Sequence, residues 1–357
     1  MLADPLNVKA PRTRPALLAS FLFGLVVFLL LSACSRAPQL EILRLSGATM
    51  GTSYHVSIVT AEEIADPGQI QSGIDQLLQA INLAMSTYIE GSEINRLNES
   101  VIGQWVPLSA DLLAVMQIST EVSDLSAGAF DVTVRPLIDL WGFGPKPGTN
   151  TVPAAAEIRQ ALDSIGYQKM LLDVAGARLQ RLQPVSLDLS AVAKGYGVDR
   201  LAGYLQELGY QNYLVEIGGE LRLHGHNAHG EQWRIAIERP DSLLATSVYR
   251  ALQLTNTGIA TSGDYRNYFE ENGVRYSHTV DPRSGYPINH NLASVTVLDP
   301  SAARADALAT AFNVLGLEQA LPLANSQGIA AMFIIKQGDT FAEVASEAFQ
   351  AYLESGQ

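Results

Sequence analysis

The chain has 357 residues, 47% of them hydrophobic, enough for one large domain or two closely packed ones, so disorder of the whole is excluded. Lys plus Arg number 23 against 36 Asp plus Glu, a formal charge of -13. That balance excludes any general affinity for nucleic acid or anionic lipid head groups. A phosphorylated ligand has to be met locally, by a metal ion, backbone amides or a few placed cations.

At the N-terminus, Arg12 and Arg14 precede an apolar run from Leu17 to Leu31 that meets Ser32-Ala33-Cys34. A basic start, a short apolar core and small residues before the cut predict a secretory signal. The small pair directly before cysteine resembles the bacterial lipobox, in which the thiol is lipidated and Cys34 becomes the new N-terminus. The run falls short of the roughly 18 or more apolar residues of a transmembrane anchor. Residues 1–33 therefore read as a lipoprotein signal peptide, 34–47 as a lipidated N-terminus and tether, and 48–357 as one folded domain. Acylation of Cys34, the single cysteine, leaves no thiol for catalysis, a zinc site or an internal disulfide. The expected location is the bacterial cell envelope, lipid-anchored and facing the periplasm, with Ser35 in place of Asp favouring the outer membrane.

Tyr54 to Thr60 alternates like a strand. Ile70, Ile74, Leu77, Leu78, Ile81 and Met85 recur at helical spacing, and a second helix follows Ser109, a good N-cap. Pro153 to Ile165 predicts a third helix ended by Gly166. Short strands are expected at Met170–Asp173 and Ala177–Arg181, then a helix from about Ala191 to Leu208 closed by Gly209. Tyr213 to Leu298 is strand-rich: NYLVEI, ELRLHG, WRIAIE, YRALQL, YSHTV and ASVTVL are separated by Gly, Asn, Asp and Pro. A helix from Ser301 to Leu315 and a strand IAAMFII follow. Helices early and antiparallel-looking strands later give an α+β fold.

No GxxxxGK[ST] or GxSxG occurs, and WGFGPKPG lacks the glycine spacing of a dinucleotide fingerprint. In SLDLSAVAKGYGVDR a strand runs into Ser190, an N-cap candidate, and a helix whose first turn carries Lys194. Free amides, one lysine and little bulk would make a local anion site, while an ordinary capped helix with a solvated lysine is the commoner reading of such residues. In RADALATAF, Asp306 and Thr310 stand four apart on a predicted helix, a carboxylate and a hydroxyl on one face among alanines. Hard oxygens with room for waters and phosphate suit Mg2+, although an exposed Asp beside a self-bonded Thr fits as well. His278, at a strand end in RYSHTVDPRSGYP, is a candidate general base or a hydrogen-bonded core histidine. His224, His226 and His229 are expected in an exposed hairpin loop without acidic or cysteine partners. Gly218-Gly219 suggests a bulge or a close backbone approach.

The strings MGTSYHV, MSTY with SEINRLN, GAFDVTVRPLIDLWGFG, LDLSAVAKGYGVDR, YLVEIGGELRLHG, IATSGDYRNYF, YSHTVDPRSGYP and ADALATAF stand in the order and spacing that resemble the ApbE family of flavin transferases. The resemblance runs from about Thr49 to the end of the chain. It implies an α+β domain with antiparallel sheets similar to the tunnelling fold, and Mg-dependent transfer of FMN from FAD to a threonine hydroxyl of an acceptor protein, with AMP leaving. Met50, Tyr88, Ala129, Phe130 and Asp131 match positions lining the family's FAD site, and Asp188 and Lys194 match further dinucleotide contacts. The family's metal site maps onto Ala191 through its main-chain oxygen, Asp306 and Thr310, and His278 matches the histidine linked to transfer. Acceptors implied are the FMN-bearing subunits of Nqr and Rnf type redox complexes. FAD hydrolysis to FMN and AMP and passive flavin binding are the alternatives. One departure is Arg135, where the family pattern usually has Gly before Pro136; the added cation either alters the ligand pocket or pairs with a carboxylate.

Two outcomes are expected at the N-terminal end. Cys34→Ala should move the protein from the membrane to the soluble fraction without lowering activity in solution, as checked by fractionation. Ser46-Gly47-Ala48-Thr49 resembles the end of an acceptor motif but has Leu43 where the motif is acidic. No flavin fluorescence should therefore remain on the chain after incubation with FAD and Mg2+ and denaturation.

Overall fold

The computed structural model describes residues 40–354 apart from 63, 65, 145–150, 241–247, 264–267 and 339. Cys34 and the predicted signal peptide lie outside the described residues. From Glu41 onward the chain forms one compact unit.

Two strands open it, β1 (Glu41–Thr49) and β2 (Thr52–Thr60), joined by a two-residue turn in which Met50 and Gly51 both take positive φ, 50° and 74°. That is the turn geometry whose twist suits a hairpin. The tether expected over 34–47 is thus too long, because residues 41–47 are already paired with β2. β1 is an edge strand in which half-buried Leu43, Leu45 and Gly47 alternate with exposed residues, a pattern blurred in the sequence by the exposed Ile42 and the small residues SGA.

Helices α1 (Pro67–Met85), α2 (Glu93–Glu99) and α3 (Ala110–Leu125) follow, with strand β3 (Trp105–Pro107) between the last two. α1 buries Ile70, Ile74, Leu78, Ile81 and Met85. Ser109 caps α3, its side chain accepting from the Leu112 amide at 3.2 Å, as the sequence predicts. A short helix α4 (Arg135–Leu140) and α5 (Ala155–Asp163) lead to β4 (Met170–Asp173) and β5 (Arg178–Arg181), which with β3 form a small antiparallel sheet of order β3-β5-β4.

Helix α6 (Ala193–Glu207) then precedes β6 (Tyr213–Ile217), β7 (Glu220–His224), β8 (Trp233–Glu238), β9 (Val248–Leu254), β10 (Thr257–Gly263), β11 (Tyr268–Glu271), β12 (Val274–Ser277) and β13 (Leu292–Asp299). Helix α7 (Ala302–Ser326), strands β14 (Ala330–Gln337) and β15 (Thr340–Ala345) and helix α8 (Glu347–Glu354) complete it. The main sheet has the order β1-β2-β6-β7-β10-β13-β14-β15, antiparallel throughout. The α+β expectation holds. β10, the centre of that sheet, is missing from the sequence reading because Thr, Ser and Gly in IATSG mimic a loop.

α6 and α7 pack together against this sheet, and glycine dictates how closely. A Cβ on Gly195 would stand 2.3 Å from the carbonyl oxygen of Ala302, and one on Gly258 of β10 would stand 2.5 Å from the Ala302 amide nitrogen. The first residue of α7 is thus wedged between the backbones of α6 and β10. Behind it, Ala303, Ala305, Ala307, Ala309, Ala311 and Phe312 are fully buried. α7 continues past the predicted end at Leu315 through a kink at Gly316, φ 68°. There the carbonyl of Asn313 accepts from Nε2 of His290 at 2.8 Å in place of a helical amide.

Gly195→Ala should lower the unfolding free energy by about 3 kcal/mol, because backbone cannot move aside for a new methyl group. Gly203→Ala, on the same helix but facing open space, should raise it by up to about 1 kcal/mol. Urea titration of the two variants separates these opposite effects.

Candidate active site

One cavity of about 410 Å3 opens where α6, α7, the main sheet and the loops around Tyr88, Asp131, Phe143, Asp188 and His278 meet. Tyr88, Ala129, Phe130, Asp131, Asp188, Ala191, Lys194, His278, Asp306 and Thr310 all line it. The structure thereby brings together every residue singled out for FAD, metal or proton transfer except Met50. Met50 occupies the β1–β2 turn, and its methyl group packs against Gly197 of α6, 3.1 Å from where a Cβ there would lie. The hairpin turn fixes the backbone, and the flexible side chain fills the space that the glycine leaves.

The start of α6 differs from the expected anion cradle. The helix begins at Ala193 after a cap at Val192 that makes no side-chain bond, and the Ser190 hydroxyl instead bonds Oδ1 of Asp188. Its amides are largely committed: Ala193 donates to the carbonyl of Leu189 at 2.9 Å and Gly195 donates to Oδ2 of Asp306 at 3.1 Å. The positive end of the helix therefore faces a carboxylate of the protein.

The charged centre consists of Lys194, Glu220 and Asp306. Lys194 Nζ lies 2.5 Å from Oε1 of Glu220. Burial pulls the lysine pKa down, but Asp306 and Glu220 outweigh it and hold the ammonium above the usual lysine range. Burial, reinforced by the neighbouring Asp306, pushes Glu220 up to about 8 against the pull of Lys194. Asp306 is raised by its own burial, against the opposing pulls of Lys194 and the Gly195 amide. The centre thus has two buried carboxylates against one cation, and Oε2 of Glu220 is buried without a hydrogen bond. Burial holds both carboxyl groups toward the protonated form, so a divalent cation bound here would displace protons and offset the charge that burial disfavours. The oxygens available around it, the Asp306 carboxylate, the Thr310 hydroxyl and the Ala191 main chain, are all hard donors. Among the described residues no three His, Cys, Asp or Glu side chains form a metal-holding group. A cation here would depend on few protein ligands plus ligand oxygens, as Mg2+ commonly does.

The two other carboxylates serve as braces. Asp131 accepts from the Thr133 amide at 2.8 Å, the Thr133 hydroxyl at 2.7 Å and the Tyr167 amide at 2.9 Å. Burial raises its pKa, opposed by those bonds. Asp188 accepts from the Ser190 amide at 2.8 Å, and its own amide bonds the carbonyl of Val132. Both residues line the cavity while bracing the loops they sit on. Arg135 reaches Asn95 at 3.2 Å and Asp139 at 3.6 Å and does not line the cavity, so the added cation pairs with a carboxylate.

His278 follows β12, is half-buried and lines the cavity beside an aromatic cluster. Trp141 stacks on Tyr276 at 5.6 Å, Phe269 stacks on Tyr276 at 5.1 Å, and the Trp141 indole donates to the carbonyl of Gly285 at 2.9 Å. Phe143 meets the imidazole edge-on at 6.3 Å. Tyr88, 70% exposed, offers an aromatic face at the mouth. His224 is not part of the site: it stacks on Tyr213 at 5.5 Å and bonds the carbonyl of Gln211.

Glu220, Thr261 and Ser262 line the cavity unanticipated. The signal for Glu220 was the Gly-Gly pair before it: a side chain on Gly218, φ 57°, would meet Thr52 and Lys194. A charged residue entering an apolar strand at such a turn marks a buried partner.

Residues 50–333 match the model of the ApbE family. The chain belongs to the ApbE family. It is 44% identical over 337 residues to the FAD:protein FMN transferase of Vibrio cholerae, covering 94% of this chain and 99% of the relative. The Vibrio cholerae flavin transferase ApbE superposes with a TM-score of 0.81 at 42% identity, covering 88% of this chain and 99% of that one. The apo Pseudomonas stutzeri flavinyl transferase ApbE gives 0.81 at 40% identity, covering 88% and 97%. ApbE membership accounts for the gathering, in one cavity, of residues from segments as far apart as Tyr88 and Thr310.

Asp131→Ala should lower stability by about 3 kcal/mol by leaving two buried donors of Thr133 and the part-buried Tyr167 amide without this acceptor. It should also weaken FAD binding, as read by flavin fluorescence quenching. A variant as stable as the parent would remove the bracing role.

Proposed function

We propose that the chain is an FAD:protein FMN transferase that moves FMN from FAD to a threonine hydroxyl of an acceptor protein, with Mg2+ as cofactor. The observation that carries this reading is the single cavity shared by Lys194, Asp306, Thr310, Ala191 and His278, in a chain 44% identical to a named FAD:protein FMN transferase. In the reaction the threonine oxygen bonds the phosphorus on the FMN side of the pyrophosphate. The bond from that phosphorus to the bridging oxygen breaks, and AMP leaves with the electron pair.

Lys194, held by Glu220, directs a positive charge into the cavity toward the pyrophosphate oxygens. His278 lines the cavity that an acceptor threonine enters and takes the hydroxyl proton. Asp306, Thr310 and the Ala191 carbonyl would hold Mg2+, which supplies charge neutralisation on the phosphates when bound. The aromatic faces of Tyr88 and Phe130 offer stacking surfaces for planar rings. FMN-bearing subunits of Nqr and Rnf type complexes are the proposed acceptors. The location that fits them is the periplasmic face of the bacterial envelope, with the chain anchored by lipid on Cys34. The support for that location is the apolar run and small residues ahead of Cys34.

Mass spectrometry of a candidate acceptor after incubation with FAD and Mg2+ tests the reading: one FMN on a threonine is expected. FMN and AMP released with the acceptor unlabelled would replace it with FAD hydrolysis. Asp306→Ala should reduce labelling at least about 100-fold and Thr310→Ala less, since only the former removes a charge. Full activity of the Asp306 variant in the presence of a chelator would end the metal assignment.

A further inference from the structure

Asp199 lies on α6 one turn beyond Gly195 and outside the cavity lining, yet its carboxylate is the most heavily used at the crossing of the two helices. Oδ1 accepts from the Ala302 amide at 3.0 Å. Oδ2 accepts from the Ala303 amide at 3.0 Å and from the Ser301 hydroxyl at 2.7 Å. These amides are orphan donors at the start of α7 and carry the positive end of its dipole. Asp306, one turn into α7, returns the arrangement by accepting the Gly195 amide in the first turn of α6. Each helix thus caps the N-terminus of the other with a carboxylate, and the glycine contact of Gly195 with Ala302 lies between the two caps.

The two carboxylates differ in what else they face. Asp306 lines the cavity beside Lys194 and Thr310. Asp199 faces the helix start, with Arg222 of β7 4.0 Å away. Ala302 and Ala303 are fully buried and have no polar side chain to substitute for that cap.

We propose that Asp199 is the positioning residue of the cation site: by clamping the first amides of α7 to α6 it fixes Asp306, one helical turn farther on, at the place where the carboxylate meets the cation. Asp199 touches neither ligand nor cation and acts through Asp306. The inference rests on the reading of Asp306 as a cation ligand. Asn at this position is nearly isosteric but offers one acceptor oxygen and an amide group that opposes the amides of Ala302 and Ala303. Loss of the clamp frees the start of α7 to shift, and Asp306 shifts with it.

The test is Mn2+ binding to the full chain with FAD present, measured against Mn2+ with FAD alone and followed by electron paramagnetic resonance, with Mn2+ as the probe in place of Mg2+. Asp199→Asn should weaken Mn2+ binding at least tenfold, and transfer assays should show a matching rise in the half-saturating Mg2+ concentration with turnover recovered at saturation. Ser301→Ala, which removes one of the three bonds together with the Ser301 cap on the Arg304 amide at 3.2 Å, should give a smaller shift in the same direction. Leu205→Ala, a fully buried change farther along α6, should lower the melting temperature and leave Mn2+ affinity unchanged. Parental Mn2+ affinity in Asp199→Asn overturns the inference, as does parental affinity in Ser301→Ala where the first variant does not fold. An equal weakening in Leu205→Ala overturns it too, since a general loss of stability would then suffice. No Mn2+ binding by the parent protein overturns the metal assignment itself and the inference with it, a result distinct from an unchanged Asp199 variant.

Discussion

The contact between the backbones of Gly195, Ala302 and Gly258 sets the geometry on which the site depends. Two helices and a strand meet there backbone to backbone, with no room for a side chain at Gly195 or Gly258. At that distance a carboxylate on one helix reaches the amides of the other. Lys194 and Thr310, more than a hundred residues apart in the chain, then share one cavity with Asp306. Larger side chains at these positions would separate the helices and move the site's charges apart.

The electrostatics follow from this closeness. An acidic chain that handles a dinucleotide would be expected to offer bare amides or a cluster of cations. Here the amides at the start of α6 are used within the protein, and the charged centre has more buried carboxylate than cation. The arrangement is poor for a free phosphate and well suited to phosphate that arrives with a divalent ion.

Much of this was legible in the sequence, for reasons that differ by element. The helix over Ile70 to Met85 and the cap at Ser109 are local signals, read from spacing and one hydroxyl. Asp306 and Thr310 were found as a pair because four residues on a helix share a face. β10 escaped because its Thr, Ser and Gly are chosen for the cavity and the helix contact, so they lack the apolar character of a buried strand. The residue type of Ser190 predicts a cap; the structure gives its hydroxyl to Asp188. Asp199 and Glu220 were invisible for a different reason. Each matters through a partner distant in sequence, Ala302 at one and Lys194 at the other, and no local pattern encodes that pairing.

The bond between Gly195 and Asp306 spans 111 positions, and the sheet under it pairs β7 with β10 and β10 with β13. Contacts of such separation form late in folding, because a long loop must close before they contribute. A growing chain with α6 already made still lacks the carboxylate, the hydroxyl and half of the wall that would hold a ligand. Only a chain synthesised past α7 has the residues of the cavity, so the nucleotide is met by the finished protein and has no part in guiding the first two-thirds of its synthesis.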